Sequence, residues 1–157
     1  MDRNFYRFRS VWHLDASPTD VYDALERLPD YSTWWREVKE SVRLSENAFH
    51  IRCQATLPYD LVFVSTQERR DPVERVLQAR LHGDLDGFSR WNIGVAPAGG
   101  TDAVFEEEVV ATKALLRRLA PVARPAFQAN HYLMMRHGQA GLRTYLAGWK
   151  AARETAD

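Results

Sequence analysis

Glu107 and His131 are the residues whose types and positions most directly suggest chemistry. Between Thr101 and Ala111, positions 101, 103, 105, 107, 109 and 111 read Thr, Ala, Phe, Glu, Val and Ala, and the alternate set reads Asp102, Val104, Glu106, Glu108 and Val110. Period-two alternation predicts a strand with the more apolar set inward, which takes Glu107 into the interior. A carboxylate there is costly unless it is paired or lines a polar cavity. The competing reading is a bulge or reversed register that exposes Glu107 and buries Val104 and Val110. At about 100° per residue, His131 falls roughly 40° from Phe127 on the apolar face of a C-terminal helix, and Asn130 lies at its edge. A lone histidine on such a face is more often packed core than catalyst. Beside a carboxylate in the same interior, it gains a partner that raises its pKa and orients its ring for general acid/base work. The same pair would equally hydrogen-bond a ligand hydroxyl or carbonyl.

Other chemistries lack their residues. The five histidines, at 13, 50, 82, 131 and 137, show no His-x3-His spacing, and the single cysteine, Cys53, excludes a cysteine zinc cluster, so no metal is expected. No nucleophile elbow, phosphate-binding glycine loop or dinucleotide fingerprint is present, so no cofactor is expected either. Gly94-Val95-Ala96-Pro97 and Ala98-Gly99-Gly100 read as turns, and Cys53 reads as a small core residue. Trp34, Trp35, Trp91, Phe105 and Tyr145 form a large aromatic allotment, most simply core. Trp34 and Trp35 are adjacent and cannot both point one way on a helical turn. One is expected to pack under the helix while the other rims an opening.

These residues need elements to position them. Tyr6 to Leu14 alternates as a half-buried strand. Ser17-Pro18-Thr19-Asp20 starts a helix, with Ser17 as cap, Pro18 at its first position and Asp20 closing a capping-box variant. Pro29 stops that helix, and Tyr31 to Trp35 predicts a second short one. Five further strands and the Thr101–Ala111 strand follow: Val38 to Leu44, then Phe49 to Ala55 with Phe49, Ile51, Cys53 and Ala55 inward, then Leu61 to Glu68, Val73 to Gly83 and Gly87 to Val95. Glu46-Asn47, Leu57-Pro58-Tyr59 and Asp71-Pro72 break the runs. Short strands with brief turns imply one antiparallel meander. Leu115 to Leu119 forms a short lead-in before Pro121. Pro125 then opens a long helix to about Trp149, with Phe127, His131, Met134, Gly138, Gly141, Leu142, Tyr145 and Trp149 on one face. Gly138 and Gly141 each cost about 1 kcal/mol against alanine on a buried helical face. Either they admit close packing, or they leave volume for a ligand.

The chain has 157 residues, 45% hydrophobic and 27% charged, which fits one ordinary domain spanning 1–157 and excludes disorder. Twenty-one Lys and Arg balance 21 Asp and Glu. That zero argues against a general nucleic-acid or anionic-membrane surface, and Arg117-Arg118 with Arg124 reads as a solvated helix flank. The start lacks a signal-peptide core, no apolar run reaches membrane-spanning length, and a lone cysteine fits a reducing cytoplasm. The expected protein is soluble and cytoplasmic, without integral membrane association; monomer and homodimer both stay open.

One strand, two helices, a long antiparallel sheet and one long helix make an α+β order. That order resembles the helix-grip fold of the START-like superfamily, which includes polyketide cyclases, aromatases and lipid carriers. Ala16-Ser17-Pro18-Thr19-Asp20-Val21-Tyr22-Asp23-Ala24-Leu25, then Leu28-Pro29-Asp30-Tyr31-Ser32-Thr33-Trp34-Trp35, resemble the opening of its polyketide cyclase/dehydrase branch. Gly83-Asp84-Leu85-Asp86-Gly87 with Arg90-Trp91 also resembles it, as does Asn130-His131 with Met134, Gly138, Gly141 and Leu142. The resemblance implies a sheet of six to seven strands around the helix and a ligand cavity of a few hundred Å3 between them. It favours the cavity-making reading of the glycines and puts the Trp34-Trp35 region at the entrance. The implied ligand contacts are Trp34, Trp35, Trp91, Phe105, Asn130, Met134, Gly138 and Tyr145. Three functions are compatible with it. One is binding of a hydrophobic or aromatic small molecule of polyketide, isoprenoid or lipid type. The second is a cyclase, aromatase or dehydratase using Glu107 and His131. The third is a protein-interaction module. Ligand binding is preferred, because fold alone does not decide catalysis.

Overall fold

The computed structural model of the chain describes residues 2–54 and 59–156. Seven strands form one antiparallel sheet: β1 (Phe5–Leu14), β2 (Val38–Arg43), β3 (Ala48–Gln54), β4 (Asp60–Asp71), β5 (Val76–Gly83), β6 (Leu85–Val95) and β7 (Thr101–Ala111). Their order is β1-β7-β6-β5-β4-β3-β2, so β2 through β7 meander and β1 closes the far edge beside β7. The first two strands therefore lie on opposite edges. The chain between them forms α1 (Pro18–Glu26), a 3-10 turn (Leu28–Asp30) and α2 (Tyr31–Trp34), and after the sheet come α3 (Ala114–Arg118) and α4 (Ala120–Ala156). This is the helix-grip arrangement. Ala55 and Leu57-Pro58 lie outside the described residues.

Alternation placed the strands well, and β7 has the predicted bounds. β4 runs past Glu68 to Asp71, β5 starts at Val76 rather than Val73, and β6 starts at Leu85 rather than Gly87. Ser17 caps α1 as expected, its Oγ accepting the Asp20 N–H at 3.1 Å. The Asp20 carboxylate takes both guanidinium nitrogens of Arg153 on α4, at 2.7 Å each.

The long helix corrects the sequence reading at both ends. It begins five residues before Pro125 and passes through that proline. A proline inside a helix removes one backbone hydrogen bond, and tertiary contacts hold the segment instead. The Arg124 guanidinium donates to the carbonyls of Arg3 and Phe5 at 2.9 and 2.8 Å and lies 4.6 Å over the Tyr6 ring. Beyond Trp149 nothing breaks the helix, and Arg153 ties its last turns to α1.

The core has two parts. The larger gathers Trp12, Trp34, Trp35, Trp91 and Phe105 under α1, α2 and the middle of α4. The smaller holds Tyr6, Leu81, Val109, Leu116 and Phe127 beneath α3 and the start of α4. Phe63 packs against both.

Candidate functional site

Strand register builds the site. Glu107 lies opposite Ser89, Ser89 opposite Ala79, and Ala79 opposite Gln67, so one row crosses β7, β6, β5 and β4. Side chains in one cross-strand row share a face of the sheet. The next row over, Phe105, Trp91 and Leu77, is apolar. A row of small and polar side chains beside an apolar one makes a trench, and a cavity of about 120 Å3 lies over it, below α1, α2 and α4. This is smaller than the few hundred Å3 expected, because Trp35, Tyr31, Met134 and Leu28 fill the space above. An apolar cavity near 150 Å3 admits benzene, so this one suits a single aromatic ring.

Glu107 faces inward, 8% exposed, which settles the strand parity in favour of the apolar set. Burial pushes its carboxyl up to about 8. His131 is 6% exposed, and burial pushes its imidazole down to about 4. Pairing would raise His131 and desolvation lower it, and desolvation dominates here because the two do not bond. Nε2 of His131 lies 3.9 Å from Oε1 of Glu107 and is buried without a hydrogen-bond partner among the described residues. The ring instead stacks on Phe8 at 3.7 Å between centroids. At neutral pH the site thus presents a protonated carboxyl, a donor, beside a neutral imidazole, an acceptor.

Of the expected ligand contacts, Trp35, Trp91, Phe105 and Met134 line the cavity together with Glu107. Trp34, Asn130, Gly138 and Tyr145 stand away from its wall, as does His131 itself. The glycine reading is corrected. A Cβ on Gly138 would come within 2.6 Å of Trp35 and 2.7 Å of Trp12, and one on Gly141 within 1.8 Å of the Trp34 carbonyl oxygen. These glycines admit tryptophans, not ligand. The two tryptophans also differ from expectation, since neither rims an opening. Trp35 ends α2 in an extended conformation (φ −105°, ψ 105°), which turns its ring parallel to that of Trp34 at 5.5 Å. Both are buried, and the Trp35 indole N–H donates to the Met134 carbonyl at 2.9 Å.

Sequence reasoning missed Ser65, Gln67 and Ser89 on the wall, although polar residues at inward positions were visible in the alternation. Gln67 Oε1 is buried without a partner among the described residues. Cys53 also lines the cavity, and burial pushes its thiol up to about 12, so it is no nucleophile. A second carboxylate–imidazole pair went unseen. Glu37, 6% exposed, meets His137 Nδ1 at 2.6 Å across a hundred residues of sequence, pinning α4 to the entry of β2. No group of three metal-ligating side chains occurs among the described residues.

A long C-terminal helix gripped by a seven-stranded antiparallel sheet defines the helix-grip class of proteins. The chain belongs to the family described as polyketide cyclase / dehydrase and lipid transport, which matches residues 6–147. The Zhui aromatase/cyclase from Streptomyces sp. R1128 shares the fold with a TM-score of 0.75, at 14% identity over 90% of this chain and 93% of that one. A START superfamily protein from Mycobacterium smegmatis gives 0.73, at 14% identity over 91% and 98%. The di-domain ARO/CYC BexL from the BE-7585A biosynthetic pathway gives 0.69, at 16% identity over 91% of this chain and 50% of that one. At such identities the likeness is one of fold. No curated protein matches the sequence significantly.

Proposed function

We propose that the protein binds a hydrophobic or aromatic small molecule, of polyketide, isoprenoid or lipid type, with one ring or apolar end of it seated in the cavity between the sheet and α4. The observation that carries this reading is the buried Glu107 carboxyl on a mainly apolar wall, which burial holds protonated at neutral pH and which pairs with no Lys or Arg among the described residues. A native core replaces such a group with a hydrocarbon at no loss, whereas a ligand carbonyl gives it a purpose. Ring faces from Trp35, Trp91 and Phe105 supply the flat apolar contact. Native mass spectrometry of the protein from its own host tests the reading: a bound small molecule is expected, and its loss in Glu107→Leu. A protein free of ligand that also takes up no aromatic ketone in vitro would overturn it.

A cyclase, aromatase or dehydratase is the second reading, favoured by the neutral imidazole 3.9 Å from a protonated carboxyl. Such a pair can accept a proton at His131 and deliver one from Glu107 at one pH. Turnover of a poly-β-keto thioester, lost in His131→Phe while binding persists, would select it.

A further inference from the structure

The zero net charge hides an uneven distribution along the chain. Residues 1–108 carry 19 acids and 13 bases, whereas residues 109–153 carry eight bases and no acid. That second segment is the end of β7 with α3 and most of α4. It also holds five of the nine large hydrophobic side chains that stand exposed among the described residues: Leu115, Leu119, Val122, Tyr132 and Leu133. Eleven positions separate Val122 from Leu133, so they lie within about 20° of one another around the helix and roughly 16 Å apart along it. Arg117, Arg118 and Arg136 are exposed among these residues and form no ion pair among the described residues. Asp2 is the acid whose charge reaches Arg117. The Tyr132 ring lies 5.9 Å under the Arg136 guanidinium.

We propose that this outward face of α3 and the first half of α4 docks on an anionic lipid surface. Exposed aliphatic side chains, an amphipathic tyrosine and exposed arginines, spread over α3 and the first half of α4, are the composition of an interfacial anchor. An acid-free segment complements anionic headgroups, and the aliphatic residues give it a contact that a purely ionic partner would leave unused. A nucleic-acid phosphate chain would find the arginines but no use for Leu115, Leu119 and Val122. Docking is peripheral: no helix among the described residues is long and apolar enough to cross a membrane. This inference concerns the outer surface and does not depend on what the cavity holds.

Co-sedimentation with vesicles of phosphatidylcholine, with and without phosphatidylglycerol, tests it on the full chain. Binding is expected to the anionic vesicles and to fall as salt rises. Each arginine near such a surface contributes about 1 kcal/mol, so Arg117→Gln with Arg118→Gln should weaken partition about thirtyfold. Leu119→Ser with Val122→Ser should weaken it about tenfold or more, leaving the melting temperature unchanged because both side chains are exposed. No partition into anionic vesicles would overturn the proposal, and so would partition indifferent to the serine pair. A concentration-dependent dimer that the serine pair dissociates, with no vesicle binding, would assign the face to a second copy of the chain and overturn it too.

Discussion

Oε1 of Glu107 and Nε2 of His131 stand 3.9 Å apart, too far to hydrogen-bond, with both groups withdrawn from water. Each is therefore neutral at physiological pH. A charged pair at this place would need the close contact that an ion pair requires to offset its desolvation. Separation leaves the Glu107 carboxyl on the cavity wall, with the His131 imidazole behind it and away from that wall.

This arrangement fixes a pH dependence of stability. Glu107 moves from 4.5 to about 8 on folding, so between those values the folded state holds a proton that the unfolded chain lacks, and stability falls as pH rises. His131 moves from 6.5 to about 4, so between those values the unfolded chain holds the extra proton, and stability rises with pH. The two contributions cancel between about 4.5 and 6.5, leaving a net decline from 6.5 to 8. Denaturant titrations are expected to lose that alkaline decline in Glu107→Gln. A wild-type and variant difference that is flat from pH 6.5 to 8 would contradict the assignment.

Gly141→Ala should destabilise severely, on the order of 3 kcal/mol or more, because its Cβ meets a backbone carbonyl that cannot yield. Gly138→Ala faces tryptophan ring edges instead and should cost about 1–3 kcal/mol. Alanine gains about 1 kcal/mol of helix propensity over glycine, so the order of the two variants, read by thermal unfolding, decides whether close packing rules this face. Equal or raised stability in both would show that the helix stands off the tryptophans.

The Asp20–Arg153 pair joins α1 to the last turns of α4, with the arginine side chain 63% exposed. Exposed pairs contribute about 1 kcal/mol or less. Asp20→Asn and Arg153→Gln should each lower stability by about that amount, and the double variant should lose no more than either alone. Strict additivity would mean the bidentate contact is absent in solution.

The fold was legible because alternation and amphipathicity survive in the sequence as local periods. β7 and its inward Glu107 followed from parity alone, and Phe127, His131, Gly138 and Leu142 on the buried side of α4 followed from phase. Met135 and Leu146, by contrast, are buried outside the expected face, and Met134, Tyr145 and Trp149 are only partly buried on it. What failed had causes distant in sequence. Pro125 reads locally as a helix start, yet Arg124 clasps the β1 backbone and carries the helix through it. Gly138 and Gly141 look the same whether they face a void or a tryptophan, and only the placement of Trp12, Trp34 and Trp35 distinguishes them. The row Glu107, Ser89, Ala79 and Gln67 depends on three strand registers at once, which no single-strand pattern encodes. The Glu37–His137 contact likewise requires the docking of α4 on the turn before β2.

A cavity-filling change should separate binding from stability. Ser89 lies beside Glu107 in the polar row, and Ser89→Leu places a larger apolar side chain over the trench. Uptake of an aromatic ketone should fall at least tenfold while the fold melts within about 1–3 kcal/mol of wild type, the usual cost of added core volume. Undiminished uptake would place the ligand elsewhere.

The most direct test is the pH dependence of acetophenone binding, followed by quenching of the cavity tryptophans Trp35 and Trp91. If the Glu107 carboxyl donates to the ligand carbonyl, affinity should hold steady below about 8. Above that value it should fall by about tenfold per pH unit as the proton is lost. Glu107→Leu should bind weakly at every pH. Affinity that passes through this range unchanged, or an equally tight Glu107→Leu complex, would contradict a cavity organised around a protonated glutamate.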